Sequence, residues 1–293
     1  MPDFYLLRGL EQLGLLHRYF SYHWHLRRWR QDLRFLRGQL FGDRGSLPAF
    51  LGIGAQKSGT TTLHQLLDLH PNVFVPQRKE LHYFTMHSHR SMEWYASCFQ
   101  GAAPGQRVGE ITPYYLYHAP AAERIADRLP QVRIIVLLRD PVSRAISHYF
   151  HSVRLGVETL PIEDAFASEP FRLAGPSDPM ARPDQGSFSH MHFSYLDRSR
   201  YEIQLNRWMA LFPRSQFLIL RSEDMFDDPA HCWNQIQSFI EVPPIHLPDV
   251  PIRANAGKNE NSSIRSDFRL MLRDQLQETY TAMDREYGIS WTK

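Results

Sequence analysis

A lysine stands inside a glycine-bounded loop at residues 52–61, Gly-Ile-Gly-Ala-Gln-Lys-Ser-Gly-Thr-Thr. Loops of this kind hold anions with backbone N–H groups aimed inward. An ATP-type loop, G-x-x-x-x-G-K-[ST], carries its lysine directly after the second glycine. Here Gly54 and Gly59 keep that spacing, but Thr60 takes the lysine's place and Lys57 lies within the loop. The displaced charge suits an anion neutralised at its first phosphate, rather than a β/γ pair bridged by magnesium. Taken alone the string also suits an ordinary polar turn, so other parts of the chain must complete a site.

Two further strings offer those parts. Residues 138–149 read Leu-Arg-Asp-Pro-Val-Ser-Arg-Ala-Ile-Ser-His-Tyr. Arg139 falls at the end of an apolar strand, where open α/β sheets bind ligands. Asp140 and Pro141 open a helix that puts Ser143 and Ser147 on one face. A guanidinium with a hydroxyl suits a terminal phosphate; the alternative is an Arg139–Asp140 pair that closes a turn. Residues 76–84 read Pro-Gln-Arg-Lys-Glu-Leu-His-Tyr-Phe. Glu80 and His82 lie two residues apart, so an extended segment would turn both to one face. Either could take a proton from an attacking hydroxyl.

The elements that must carry these residues follow from hydrophobic patterning. Phe50 to Ile53 suits a short buried strand before the loop, and Thr60 to His70 a helix stopped by Pro71. Residues 72–75 suit a second strand, and Glu123 to Leu129 a helix. Val132 to Leu138 is a nearly continuous apolar run, as a buried parallel strand shows; a helix follows it to about Arg154. Phe217 to Leu220 reads as another strand, and Pro229 to Ile240 as another helix. Alternation of this kind predicts an α/β fold with a parallel sheet. Residues 172–192, rich in Gly, Pro, Ser and Asp, read as a mobile loop.

Together the three strings resemble the sulfotransferases that use 3′-phosphoadenosine 5′-phosphosulfate (PAPS), especially the heparan-sulfate or carbohydrate type and its soluble bacterial relatives. The resemblance implies a P-loop-like three-layer fold, a central parallel sheet flanked by helices. Gln56, Lys57, Ser58, Gly59, Thr60, Thr61 and Thr62 look like the 5′-phosphosulfate loop of that family. Arg139 and Ser147, within R-D-P-x-x-R-A-x-S-H-Y, look like its 3′-phosphate motif. The Lys-Glu-x-His-aromatic-Phe string implies Glu80 as catalytic base; His82 is the rival, because small-molecule sulfotransferases use a histidine. Lys57 is implied to meet charge on the departing oxygen. Residues 109–115 resemble a segment lining the acceptor side, with Ile111 where many members carry lysine. Residues 195–213 resemble a later helix, whose Tyr201 is assigned to the donor site. Residues 255–259, Asn-Ala-Gly-Lys-Asn, sit where relatives fold a basic glycine loop over the nucleotide. They depart from the Lys-Gly-Arg form of many members, which leaves the roles of Gly257 and Lys258 open. The resemblance implies PAPS as co-substrate, no metal, and a sugar-containing acceptor with a hydroxyl or amine.

Composition narrows the reading without adding to it. The 293 residues are 43% hydrophobic and 22% charged, with a formal charge of +2, so no general case for nucleic-acid binding arises. Cys98 and Cys232 give neither a disulfide framework nor zinc spacing. No apolar run reaches membrane-span length and no signal-peptide order opens the chain, so a cytoplasmic protein is expected. Residues 1–47 read as a basic helical extension before a domain over 48–293. Their excess of arginine could place amphipathic helices on a membrane surface. Interleaved tryptophans and arginines favour packing on the domain instead. A nucleotide-dependent phosphotransferase and an inactive nucleotide-binding protein are the competing readings. Lys57's position and the lack of a clear magnesium-holding aspartate weigh against the first; the joint presence of Lys57, Glu80 and Arg139 weighs against the second.

Overall fold

Alternate residues of the strongest strand face opposite ways, and two cores result. Ile134, Val136 and Leu138 of β4 (Arg133–Leu138) join Leu51 and Ile53 of β1 (Phe50–Gly54) in one core. Trp208, Leu205, Tyr201, Ile125 and Leu116 cover that face. Ile135, Leu137 and Phe50 enter the other core with Leu63, Leu66, Leu67, Trp233 and Ile236. A sheet buried on both faces needs helices on both, which gives the three-layer α/β fold that the sequence predicts. The computed structural model describes residues 31–33, 35–36, 38, 40, 42–174, 188–249 and 264–291.

The sheet has five strands in the order β2-β3-β1-β4-β5, paired in parallel, with β2 at Val73–Phe74, β3 at Arg107–Ile111 and β5 at Phe217–Arg221. From β1 the chain runs to one side and from β4 to the other, so a crevice opens between their carboxyl ends. Helix α1 (Thr60–Asp68) leaves the β1 loop. In order come α2 (Met92–Ala96), α3 (Tyr114–Tyr117), α4 (Ala119–Arg128) and α5 (Pro141–Arg154). Then follow α6 (Ile162–Ala174), α7 (Phe188–His192), α8 (Tyr201–Met209), α9 (Ser222–Asp227) and α10 (Pro229–Phe239). Helices α11 (Ser266–Gln275) and α12 (Gln277–Tyr287) close the described chain.

Two expectations need correction. Residues 172–174 complete α6 and residues 188–192 form α7, so both ends of the expected loop are helical; residues 175–187 lie outside the described residues. Buried Ala165, Phe166 and Glu169 anchor α6, and Arg172 pairs with Glu158, overriding the local composition. The second strand is only two residues long, because β2 pairs with β3 alone at the sheet's edge. Of the basic extension, most lies outside the described residues. At its end Asp32 accepts hydrogen bonds from Trp94 Nε1 at 2.7 Å and Arg90 Nη2 at 3.3 Å. Among the described residues no helix is long and apolar enough to cross a membrane.

Close packing of β1 on β3 is testable at Gly109. It pairs with Phe50, and a Cβ there would lie 2.2 Å from the Phe50 ring, which is fully buried. Gly109→Ala should therefore lower stability by about 1–3 kcal/mol through overpacking. Chemical denaturation reads this, and an unchanged midpoint would show that the ring has room.

Candidate active site

The loop after β1 ends in an uncapped helix. Gly59 is the N-cap of α1 with φ 87°, a left-handed conformation that a side chain resists, and no side chain caps the helix. Thr60, Thr61 and Thr62 thus present first-turn N–H groups that have no intrahelical acceptor. Ser58 is buried, and its Oγ has no hydrogen-bond partner. Lys57, half-buried, has φ 71°. An orphaned hydroxyl, an uncapped helix start and a lysine make a cradle whose chemistry fits a phosphoryl or sulfuryl anion.

Across the crevice, Arg139 follows β4 and its Nη1 donates to the Lys57 carbonyl at 3.4 Å. This ties the two anion-directed motifs together. Tyr201 is fully buried and its hydroxyl donates to the Arg139 carbonyl at 2.8 Å, so it supports the strand end that carries the guanidinium. Asp140 caps α5 through the Ser143 N–H at 2.8 Å and accepts from Tyr280 Oη at 2.6 Å. The capping role replaces the turn-closing pair with Arg139. Ser147 is half-buried on the next turn of the same helix. Gly257 and Lys258 lie outside the described residues.

The third string reaches the site by a route other than extension. Glu80 and His82 have φ 65° and 55°, so the segment coils rather than running straight. The Glu80 N–H donates to the Ile111 carbonyl at 3.1 Å, pinning the coil to the end of β3. His82 Nε2 still comes within 3.5 Å of Glu80 Oε2. Its Nδ1 lies 3.1 Å from Thr85 Oγ1, whose hydroxyl donates to the His82 carbonyl, so the ring can donate there and is held in place. Lys79 Nζ donates to Glu80 Oε1 at 2.8 Å and to Thr60 Oγ1 at 3.3 Å. Among the described residues four non-glycines are left-handed, and Lys57, Glu80 and His82 are three of them. Such backbone costs on the order of 1–3 kcal/mol per residue, and it gathers at functional sites.

Positive charge is crowded here. Burial, then repulsion from Arg154, Arg139 and Lys79, pushes the Lys57 ammonium down to about 8. At Glu80 burial works to raise the carboxyl. The hydrogen bond from His82 and the charges of Lys79 and His82 outweigh it and hold the group well below the usual carboxylate range. In the free protein the cationic neighbours of Glu80 therefore dominate over its desolvation. Glu110, in the segment expected on the acceptor side, is buried under Tyr95, Tyr115 and Thr112 hydroxyls at 2.6, 2.8 and 3.0 Å.

Two functional candidates escaped the sequence reading. Lys79 had a signal, since it precedes Glu80. Arg198 had little: it is buried, stacks over Tyr114 and Tyr117 at 5.0 and 4.8 Å, and donates from Nη1 to Gln56 Oε1 at 2.6 Å. A guanidinium only donates, so it holds the Gln56 amide with its oxygen inward.

A parallel α/β sheet with a glycine-bounded loop after β1 and an arginine after β4 defines a P-loop-like α/β fold. The sulfotransferase domain model matches residues 48–261, and the chain belongs to the sulfotransferase family. It is 31% identical over 198 residues to human heparan sulfate glucosamine 3-O-sulfotransferase 6, covering 67% of this chain and 53% of that one. It is 24% identical over 312 residues to the membrane-associated sulfotransferase kil1 of Dictyostelium discoideum, covering 82% and 66%. The chain thus spans about half to two thirds of the length of these relatives. Among solved structures, a sulfotransferase from Alicyclobacillus acidocaldarius superposes with a TM-score of 0.68 at 25% identity, covering 82% of this chain and 95% of that one.

Burial and crowding together predict where Lys57 titrates. Its charge is present below about 8 and lost above, against an ordinary value of 10.5. In NMR of the protein with 13C-methylated lysines, the resonance that disappears in Lys57→Arg should move with a midpoint near 8. A midpoint near the ordinary value would refute the burial and crowding of this ammonium.

Proposed function

We propose that this protein transfers a sulfuryl group from PAPS to a hydroxyl or amine of a sugar-containing acceptor. The observation that carries this reading is a pair of anion-directed motifs, the β1 loop and Arg139, set on two sides of one crevice and joined by the 3.4 Å contact to Lys57. PAPS carries two separated phosphates; ATP places its phosphates in one chain. The loop N–H groups, Thr60, Thr61 and Thr62 hold the 5′-phosphosulfate end, and Arg139 with Ser147 holds the 3′-phosphate. When bound, the donor supplies a sulfuryl group on a phosphate leaving group. Glu80 accepts the acceptor's proton as its oxygen or nitrogen bonds to sulfur. Lys57 neutralises the bridging oxygen as the bond from sulfur to that oxygen breaks. Preorganised charge at that oxygen is the main source of acceleration in this account.

Support for a sugar acceptor comes from the heparan sulfate relative, which acts on a glucosamine unit by its name. For the extension, a membrane surface is a second reading: Leu33, Leu36 and Leu40 lie exposed at helical spacing, and a relative is membrane-associated by name. A cytoplasmic setting belongs to the main reading and fits two buried cysteines that form no disulfide.

Two experiments test the function. Calorimetry should show adenosine 3′,5′-bisphosphate binding well ahead of ATP–magnesium. Arg139→Ala should cost the bisphosphate roughly 1.5–3 kcal/mol, and adenosine 5′-phosphate far less. Equal losses would move Arg139 away from the 3′-phosphate.

The base is tested separately. Glu80→Gln keeps the shape but removes the proton acceptor, so donor binding should survive while single-turnover transfer nearly stops. His82→Ala should keep more activity, because its ring orients Glu80. Robust transfer by Glu80→Gln beside an inactive His82→Ala would make the histidine the base.

A further inference from the structure

One ammonium spans both halves of the site. Lys79 Nζ donates to Glu80 Oε1 at 2.8 Å and to Thr60 Oγ1, at the first residue of α1, at 3.3 Å. Its side chain is 18% exposed, while that of Glu80 is 41% exposed. Lys79 therefore stands between the loop where an anion binds and the carboxylate that must take a proton.

We propose that Lys79 is an interlock that couples anion binding in the β1 loop to the base strength of Glu80. In the free protein it neutralises the carboxylate and keeps it a weak proton acceptor. When an anion occupies the helix start beside Thr60, Lys79 turns from the carboxylate to that anion. Glu80 then loses its closest cation and becomes a stronger base only once the donor is seated. A lysine suits this role: its ammonium is a compact charge with three rotatable donors on a flexible stem, where an arginine fork would lock to one partner. The phosphoryl oxygens compete through charge-assisted bonds, aided by the helix start. This inference rests on the sulfuryl-transfer reading and deepens it by making donor and acceptor chemistry sequential.

The other groups near Glu80 stay in place. His82 Nε2 lies 3.5 Å away and is held by Thr85. Lys57 on the loop, His64 on α1, His151 on α5 and Arg198 each feel the Glu80 charge at longer range. A bound anion acts on all of these in the same way whether or not Lys79 is present. The interlock is therefore the difference between wild type and Lys79→Met.

The experiment follows the Glu80 carboxyl by 13C NMR, assigned with Glu80→Gln, with and without saturating adenosine 3′,5′-bisphosphate. Free wild type should titrate well below an ordinary glutamate. The bisphosphate should raise it by about one pH unit or more. In Lys79→Met the free value should start higher, and the ligand should move it by less than half as much. Calorimetry on both proteins accompanies the titration, and thermal melting confirms that the variant is folded. Equal movement in the two folded, ligand-binding proteins overturns the interlock and leaves the donor reading intact. Failure of wild type to bind the bisphosphate overturns the donor reading, and the interlock with it. Lys79→Arg, which keeps the charge, should restore the low free value but not the full ligand-driven rise.

Discussion

Like charges gathered at the end of a parallel sheet set the character of this molecule. Burial, and then repulsion from Arg154, Arg139 and Lys79, depresses the Lys57 ammonium to about 8, and the start of α1 adds its own positive end. Glu80 is the carboxylate paired directly with Lys79 there. Such a cluster opposes folding by self-repulsion, and an arriving polyanion relieves it. The two-sided core that holds β1 and β4 in register keeps these cations together.

The same scaffold holds strained backbone. Lys57, Glu80 and His82 each adopt left-handed conformations without being glycine. Each is fixed by hydrogen bonds from its neighbours: the loop by Arg139 and by Arg198 through Gln56, the Glu80 coil by the Ile111 carbonyl, the His82 ring by Thr85. Buried Tyr201 and the Asp140 cap fix the far side of the crevice. Preorganisation of this kind means that charge is in place before reaction and needs little rearrangement. Lys79 is the member with two partners to choose between.

Much of this was legible in the residues. Apolar runs gave β1 and β4 nearly to the residue, because strands buried on both faces leave an unbroken signal, and the half-buried edge strand β5 kept a shorter run of the same kind. The Asp140-Pro141 start marked α5, since a cap and a first-turn proline have local causes. Residues 172–174 misled, because helix there depends on the burial of Phe166 and Glu169 earlier in α6, and residues 188–192 misled because Phe188 and His190 meet Phe193 and the distant Tyr114. The direction of the Glu80 shift also stayed hidden. It depends on where Lys79 and His82 point, and two left-handed residues decide that. Arg198 braces Gln56 from 142 positions away in sequence, a contact that no local pattern encodes.

In the proposed mechanism Lys57 serves the departing oxygen more than the resting donor. The direct test compares Lys57→Ala with wild type, using calorimetric donor-analogue affinity and single-turnover sulfuryl transfer at saturating PAPS. Affinity should stay within severalfold of wild type, and transfer should slow on the order of a hundredfold or more. A large loss of affinity with an unchanged saturated rate would contradict that role, and would make Lys57 a ground-state phosphate ligand.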